Sequence, residues 1–148
     1  ERNIITSLNL DPSVQETHVE KLGRKYESMK QDIMFENIMT DDAEYLFVAY
    51  GSSARICQKA VDLARAEGIK VGLHRPITLY PFPEVELNRL GSQVKGMLSV
   101  EMSLGQLVED VRLAVNGKTK VEHFGRVGGM IHSPSEVVDA LKKQIIGG

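Results

Sequence analysis

The feature that most constrains the fold is an alternation that begins near residue 43 and repeats four times. Each repeat has a short run rich in β-branched and aromatic residues, then a turn, then a longer stretch with apolar residues at helical spacing. The short runs lie at residues 45–50, 69–73, 96–100 and 121–124. Strands that alternate with helices form a mainly parallel sheet, because each helix returns the chain to begin the next strand in the same direction. We therefore predict one α/β domain over residues 43–148, with three layers (α/β/α) and a mostly parallel sheet that could also be mixed.

The helices of this pattern carry recognisable end signals. Gly68 and the pair Asn116 and Gly117 are typical of helix C-termini. Ser133 and Glu136 form a capping box with a proline between them, which predicts that the last helix begins there. The stretch 77–83 is rich in proline and aromatic residues and is predicted to be a loop.

The segment before residue 43 has a different pattern. Asp11 followed by Pro12 is a good helix start, and apolar residues then recur at helical spacing as far as Ile33. The other face of this helix is highly charged. We interpret residues 1–42 as a helix and connector from an upstream domain, and because the chain opens with Glu1 rather than methionine we expect the numbering to start inside a longer polypeptide.

The composition excludes several classes of function. The 18 basic and 20 acidic residues are interspersed, so no basic surface for nucleic acid is expected, and no apolar run is long enough to cross a membrane. Cys57 is the single cysteine, so neither an internal disulfide nor a cysteine-ligated zinc or iron–sulfur site is expected on this chain. We predict that Cys57 is a small buried hydrophobe and that the protein is cytoplasmic.

No residue pattern predicts catalysis or metal binding on this chain. The four histidines form neither an HExxH motif nor a pair four residues apart, and we expect them to be isolated polar or surface residues. They are His18, His74, His123 and His132. No serine lies in a GxSxG motif, and Cys57 has no recognisable catalytic partner. We therefore predict no catalytic residue and no metal ligand.

Polar residues follow each predicted strand, where ligands bind in open α/β sheets. We take these positions as candidates for an interface or a ligand-binding edge. The candidates are Ser52, Ser53, Arg75, Glu101, Gly105, Gln106 and Arg126.

The two serines precede a predicted helix, whose free N–H groups could hold a phosphate or carboxylate. An ordinary helix cap is the commoner use of such residues, and no phosphate-binding fingerprint surrounds them. Arg75 and Arg126 could contact a partner subunit, pair with Glu101 or Asp110, or clamp an anionic ligand, and we place these uses in that order.

Glu101 could act as an acid or base, form a salt bridge or cap the helix that follows it. We expect the loop from Glu101 to Gln106 to face a neighbouring domain or subunit, with Glu101 paired to Arg75 or Arg126 across the edge. Gly105 would permit a close backbone approach, and the Gln106 amide offers both a donor and an acceptor.

Several stretches together resemble one known family. They are FVAYGSSARI at residues 47–56, RPITLYPFP at 75–83, GQLVEDVR at 105–112 and GRVGG at 125–129. In this order the stretches resemble the α subunits of 2-oxoacid:ferredoxin oxidoreductases, and the resemblance covers nearly the whole chain. The RPITLYPFP stretch is more similar to the 2-oxoisovalerate (branched-chain) and 2-oxoglutarate members than to the long single-chain pyruvate enzymes.

The resemblance implies a C-terminal domain with the transketolase C-terminal fold, preceded by the pyrimidine-binding domain of a thiamine diphosphate enzyme. Such enzymes convert a 2-oxoacid, coenzyme A and oxidised ferredoxin into acyl-CoA, carbon dioxide and reduced ferredoxin. Thiamine diphosphate, magnesium and iron–sulfur clusters are expected elsewhere in the whole enzyme, with no cofactor on this chain. The expected partners are a thiamine-binding β subunit, a γ subunit and a ferredoxin-like δ subunit.

We therefore expect a domain that serves the assembly of this oxidoreductase and is inactive alone. Two alternatives remain. One is an independent α/β module that binds a small ligand or nucleotide, and the other is the C-terminal domain of another thiamine enzyme, such as a transketolase or the β chain of a dehydrogenase complex.

Overall fold

The structure is a computed structural model that describes residues 8–147, in which a five-stranded sheet lies between helices. The strands are β1 (Phe35–Ile38), β2 (Tyr45–Val48), β3 (Val71–Pro76), β4 (Gly96–Glu101) and β5 (Lys120–Gly125). The helices are α1 (Pro12–Met29), α2 (Gly51–Ala66), α3 (Glu84–Gly91), α4 (Leu107–Val115) and α5 (Pro134–Leu141). A 3₁₀ turn over Lys30–Asp32 follows α1, and a π-helical turn over Lys142–Ile146 follows α5.

The sheet is mixed and mostly parallel, which confirms the predicted fold class. Its strand order is β1-β3-β2-β4-β5, and only β1 runs antiparallel to its neighbour. The chain goes from β2 to β3 on one side and then crosses to β4 on the other side, so the order reverses at β2. Ligand sites and contacts of open α/β folds concentrate beyond the carboxyl ends of the strands at such a point.

Strand β1 lies within residues 1–42 and was not predicted from the sequence. It is short and mostly exposed, and it pairs antiparallel with β3, with Phe35 opposite Pro76 and Ile38 opposite Leu73. This pairing also explains why β3 runs on to Pro76, past the predicted end at residue 73, since β1 supplies the partner for its last residues. The sheet therefore includes residues that precede position 43, while the role of α1 as a connector stays a prediction.

Two apolar cores lie on the two faces of the sheet. Successive residues of a strand point to opposite faces, so Phe47 and Leu73 pack with α2 and α5 while Leu46 and Met97 pack with α3 and α4. Full burial of a side chain such as Phe47 contributes roughly 1.5–3 kcal/mol to the stability of the fold. The two cores confirm the three-layer arrangement.

Cys57 lies on α2 inside the first of these cores. Its side chain is fully buried, and this burial raises the pKa of its thiol far above the ordinary value. The thiol is therefore neutral and unreactive at physiological pH. The prediction of a small buried hydrophobe is confirmed.

The predicted capping box at α5 is confirmed. The side chain of Ser133 accepts a hydrogen bond from the backbone N–H of Glu136, and the Glu136 carboxylate accepts one from the backbone N–H of Ser133 at 2.8 Å. At the other end of this helix the chain continues into the π-helical turn, where Ile145 lies against Gly96 at the start of β4. A side chain at position 96 would overlap Ile145, so glycine is needed there.

Helix α1 is held to the rest of the chain mainly at its C-terminal end. Asp11 caps its start by accepting a hydrogen bond from the backbone N–H of Ser13 at 2.8 Å. None of its 18 residues is buried. The rings of Tyr26 and Tyr80 meet edge to face at 6.0 Å between centroids. A helix of this length is only marginally stable without tertiary contacts, so most of the apolar stripe of α1 still lacks the burial that would hold it.

Candidate functional site

The candidate site is the edge of the sheet at which the four parallel strands end. Beyond this edge lie four loops, which follow β2, β3, β4 and β5 in turn. The structure gathers most of the candidate residues here, and we call this region the carboxyl edge. Among residues 8–147 no group of three or more His, Cys, Asp and Glu side chains could hold a metal ion, and no helix could span a membrane.

Glu101, at the end of β4, is the most densely bonded residue of the carboxyl edge. Its side chain is only 3% exposed, and its carboxylate accepts hydrogen bonds from the backbone N–H groups of Gln106, Leu107 and Val108, each at 2.9 Å. The hydroxyls of Ser99 and Ser103 also donate to it, at 3.1 and 2.7 Å. The carboxylate thus caps the N-terminus of α4, where free N–H groups and the helix dipole favour a negative charge.

The pKa of Glu101 reflects two opposing effects. Burial raises the pKa of this carboxyl group, but the hydrogen bonds from Ser103 and from the three backbone N–H groups outweigh burial, and the pKa falls below its ordinary value. The group is therefore charged at physiological pH. Because its oxygens are occupied by five donors, a helix cap accounts for Glu101 better than acid–base chemistry does.

The expected pairing of Glu101 with Arg75 or Arg126 is wrong. Arg75 lies within β3 and forms a salt bridge with Glu36 of β1, at 2.9 Å, across the antiparallel pair. Arg126 forms its salt bridge with Glu136 at the start of α5. The physical reason is that Glu101 is buried and its oxygens already have donors. Both arginines thus form salt bridges within the chain, and their contact with a partner subunit stays a prediction.

Arg126 nevertheless lies beside Glu101 through its backbone. The N–H of Arg126 donates to the carbonyl oxygen of Glu101 at 3.1 Å. A Cβ on Gly125 would overlap the carbonyl oxygen of Ser103, so the loops after β4 and β5 are in backbone-to-backbone contact. Gly105 has a φ of 110°, which glycine adopts readily, and its N–H donates to the hydroxyl of Ser103 at 3.3 Å.

The remaining candidate residues lie either in the cluster around Glu101 or near it. Gln106 directly precedes α4 and exposes its side chain. Ser52 is exposed and Ser53 is buried in the first turn of α2, whose N-cap is Tyr50 and has no side-chain cap. The structure brings Glu101, Gly105, Gln106 and Arg126 together, with the serines after the adjacent central strand. Arg75 lies apart from them.

Two histidines that the sequence analysis set aside also belong to the carboxyl edge. Nε2 of His132 donates a hydrogen bond to the carbonyl oxygen of Glu101 at 2.9 Å, and Nε2 of His123 lies 3.7 Å from a carboxylate oxygen of Glu101. Burial lowers the pKa of His132, an effect that the backbone bond to Glu101 opposes, while nearby Arg126 lowers it further. His132 is therefore a buried, neutral residue.

His74 is the other buried histidine. It lies on β3 with no exposed surface, and its Nδ1 is 2.7 Å from Oδ1 of Asn37 on β1. Asn37 in turn donates to Glu86 of α3 at 2.6 Å. The expectation of isolated polar or surface histidines is thus wrong for His74 and His132. A signal was present for His74, because it directly follows the apolar run of a strand buried on both faces.

Exposed apolar side chains surround the polar cluster of the carboxyl edge. They come from three of its loops, those after β2, β4 and β5. These residues are Tyr50, Met102, Leu104, Val127, Met130 and Ile131. We call this set the edge patch. Sequence reasoning missed it, although large apolar residues within predicted loops were the signal.

Comparison with known proteins shows the family of this chain. The model of the pyruvate:ferredoxin oxidoreductase core domain II matches residues 43–137. Ketoisovalerate oxidoreductase subunit VorB of Methanothermobacter marburgensis is 43% identical over 143 residues, which cover 96% of this chain and 40% of that subunit. The 2-oxoglutarate synthase subunit KorA of the same organism is 36% identical over 102 residues, covering 69% of this chain and 27% of that subunit. The chain thus spans two fifths or less of these curated relatives.

Solved structures agree with the fold. The 2-oxoglutarate:ferredoxin oxidoreductase of Magnetococcus marinus, with 2-oxoglutarate, coenzyme A and succinyl-CoA bound, aligns with a TM-score of 0.72 at 21% identity, over 93% of this chain and 24% of that one. A split-gene transketolase aligns with a TM-score of 0.63 at 17% identity, over 75% of this chain and 41% of that one. At these identities the likeness to solved structures shows the fold alone. The match to the family model shows which family the chain belongs to. The chain belongs to the pyruvate:ferredoxin oxidoreductase core domain II family and is the domain II region of a 2-oxoacid:ferredoxin oxidoreductase α subunit.

Proposed function

We propose that this domain serves the assembly of a thiamine-diphosphate-dependent 2-oxoacid:ferredoxin oxidoreductase and is inactive alone. In the reaction of the whole enzyme, the 2-oxoacid loses carbon dioxide, its acyl group passes to the sulfur of coenzyme A, and the electrons released reduce ferredoxin. The proposal rests on a contrast at the carboxyl edge between bonded polar atoms and exposed apolar side chains. The polar atoms of Glu101 are fully occupied within the chain, whereas the edge patch around them is exposed. Such an edge suits contact with a neighbour better than chemistry.

The proposed substrate is a branched-chain 2-oxoacid such as 2-oxoisovalerate, with 2-oxoglutarate as the second candidate. Support comes from the identity to a ketoisovalerate oxidoreductase subunit over nearly the whole chain, which exceeds the identity to the 2-oxoglutarate synthase subunit. The carboxylate of Glu101 is occupied by donors within the chain, so we place the choice of substrate on other parts of the enzyme.

The cofactors fit other domains and subunits better than this one. An iron–sulfur cluster needs several cysteine thiolates, and the chain has one cysteine, whose thiol is buried and neutral. We therefore place thiamine diphosphate, magnesium and the clusters outside this domain. Its proposed partners are the thiamine-binding β, the γ and the ferredoxin-like δ subunits, in a cytoplasmic complex that uses coenzyme A and ferredoxin.

The test is a reconstitution. The full-length α subunit is combined with the subunits encoded beside it, and ferredoxin reduction is measured with 2-oxoisovalerate, 2-oxoglutarate and pyruvate, each with coenzyme A. We expect activity from the complex, highest with 2-oxoisovalerate, and none from the 148-residue chain alone. Ferredoxin reduction by the chain alone would contradict the assembly role, and preference for another 2-oxoacid would contradict only the substrate. Titration of the chain with FMN, NAD and coenzyme A tests the alternative of an independent ligand-binding module.

A further inference from the structure

We propose that a groove beside α1 binds a polypeptide segment that presents apolar side chains together with Lys or Arg. The groove has a volume of about 710 Å³ and is lined by the end of α1 and the turn after it, the first residue of β1, the loop after β3, the first turn of α3 and Asp110 of α4. It is separate from the edge patch, since no residue of that patch lines it. The inference goes beyond the assembly role and does not depend on which reaction the whole enzyme performs.

Residues 79–83 form the floor of the groove. Hydrogen bonds tie the two residues that precede them to Met34. The N–H groups of Ile77 and Thr78 both donate to the carbonyl oxygen of Met34, at 2.9 and 3.1 Å, and the N–H of Met34 donates to the Thr78 hydroxyl at 3.0 Å. A binding surface that is already ordered loses little conformational entropy when a partner binds.

The walls of the groove are apolar and exposed. Tyr80 is 64% exposed and Val85 is 86% exposed, and Tyr26, Phe35 and Leu79 also keep large parts of their side chains in solvent. These residues fill no core of the domain. A cluster of large apolar side chains of this kind on a soluble domain is typical of a binding surface.

The charge of the groove indicates the charge of its partner. Four carboxylates and one lysine line it. Glu27 pairs with Lys30 at 2.7 Å, and Glu86 pairs with Arg89 at 2.6 Å. Glu84 and Asp110 form no salt bridge within residues 8–147. A partner that carries Lys or Arg would supply the missing positive charges, and a partner rich in Glu or Asp would be repelled.

The length of the exposed stripe favours a polypeptide over a small molecule. Val19, Leu22 and Tyr26 follow one another at helical spacing along one side of α1, so the apolar surface continues beyond the groove by about 10 Å at 1.5 Å per residue. A segment that lies in the groove and along this stripe would give α1 the burial that it lacks. Binding is therefore expected to stabilise α1.

The experiment uses the full-length protein and two synthetic helical peptides of about 15 residues. Both peptides carry Leu and Phe at identical positions, with Lys at the other positions in one peptide and Glu in the other. Fluorescence polarisation gives the dissociation constants, and amide hydrogen exchange is followed over residues 12–29. We expect the basic peptide to bind at least about ten-fold more tightly than the acidic one and to slow exchange in α1.

Variants then locate the binding site. Tyr80→Ser and Val85→Ser both change exposed side chains, so both variants are expected to fold. Each should weaken binding of the basic peptide about ten-fold. Glu84→Gln combined with Asp110→Asn should weaken binding of the basic peptide several-fold at low salt. Leu63→Ser, on the opposite face of the sheet, is the matched control and should leave the dissociation constant of the basic peptide unchanged. Equal binding of the two peptides, binding that survives both Tyr80→Ser and Val85→Ser, or no binding at about 1 mM peptide would each overturn the proposal.

Discussion

Nε2 of His132 donates a hydrogen bond to the carbonyl oxygen of Glu101, 2.9 Å away, and so ties the loop after β5 to the end of β4. The same glutamate caps α4 with its side chain. One residue thus joins a strand end, a helix start and a neighbouring loop.

Glu101→Gln should destabilise the protein. The amide keeps the size of the side chain, but it loses the negative charge and turns an –NH₂ group toward backbone N–H donors of α4. We expect the free energy of unfolding to fall by about 2 kcal/mol, measured by chemical denaturation. Glu109→Gln, on the exposed side of α4, is the control and should change stability by less than about 0.5 kcal/mol. Equal effects of the two changes would show that Glu101 is not the cap of α4.

His74 should make stability depend on pH. Burial lowers the pKa of His74 from 6.5 to about 4, while the nearby Glu86 charge raises it by a smaller amount. The folded-state pKa is thus below the unfolded value, so the unfolded chain binds more protons between pH 6.5 and 4. The contribution of His74 is fully present above pH 6.5 and falls as the pH drops toward about 4. Its full extent is up to about 3 kcal/mol.

The measurement for His74 is the free energy of unfolding between pH 7 and pH 5, above the range in which most carboxyl groups titrate. His74→Phe should reduce the loss of stability over this range. NMR titration of the wild-type imidazole gives its pKa directly. A value near 6.5 would contradict the prediction.

Gly125→Ala should loosen the contact between the loops after β4 and β5. The new methyl group would overlap the carbonyl oxygen of Ser103 and the ring of His123, and a backbone oxygen cannot rotate away as a flexible side chain can. We expect a loss of about 1–3 kcal/mol in the free energy of unfolding. Gly23→Ala is a matched control, because beyond the adjacent residues and the backbone of its own helix no heavy atom lies within 4 Å of the new methyl group, and alanine favours the helix. A neutral Gly125→Ala would show that the loops are not in tight contact.

The sequence predicted β2, β3 and β4 well because these strands lie inside the sheet and combine strong β propensity with burial. Strand β1 escaped prediction for the opposite reason. It has four mostly exposed residues at the edge of the sheet, and its pairing with β3 depends on contacts about 40 positions away along the chain, which no local pattern encodes. The same pairing explains the shifted end of β3.

The sequence predicted where the candidate site lies, but it did not predict which residues contact one another there. Parallel strands bring their carboxyl ends together, so the placement of Glu101 and Gln106 at one edge followed from the fold class. The partners of Glu101 depend on how residues 102–105 fold back to present the N–H groups of α4, and the bond from His132 spans 31 positions. The absence of a good capping residue directly before α4 was the one local hint that a distant carboxylate caps it.

The most direct test of the assembly role concerns Leu104, which is 88% exposed in the edge patch. The full-length α subunit carrying Leu104→Lys is compared with Leu113→Lys, which changes a 73% exposed leucine of α4 outside the patch. Binding to the proposed thiamine-binding partner subunit is measured by surface plasmon resonance, and the thermal midpoint of each variant shows whether it folds. We predict that Leu104→Lys weakens association at least about ten-fold while Leu113→Lys matches the wild type. Association of the Leu104→Lys variant at wild-type strength would contradict the account.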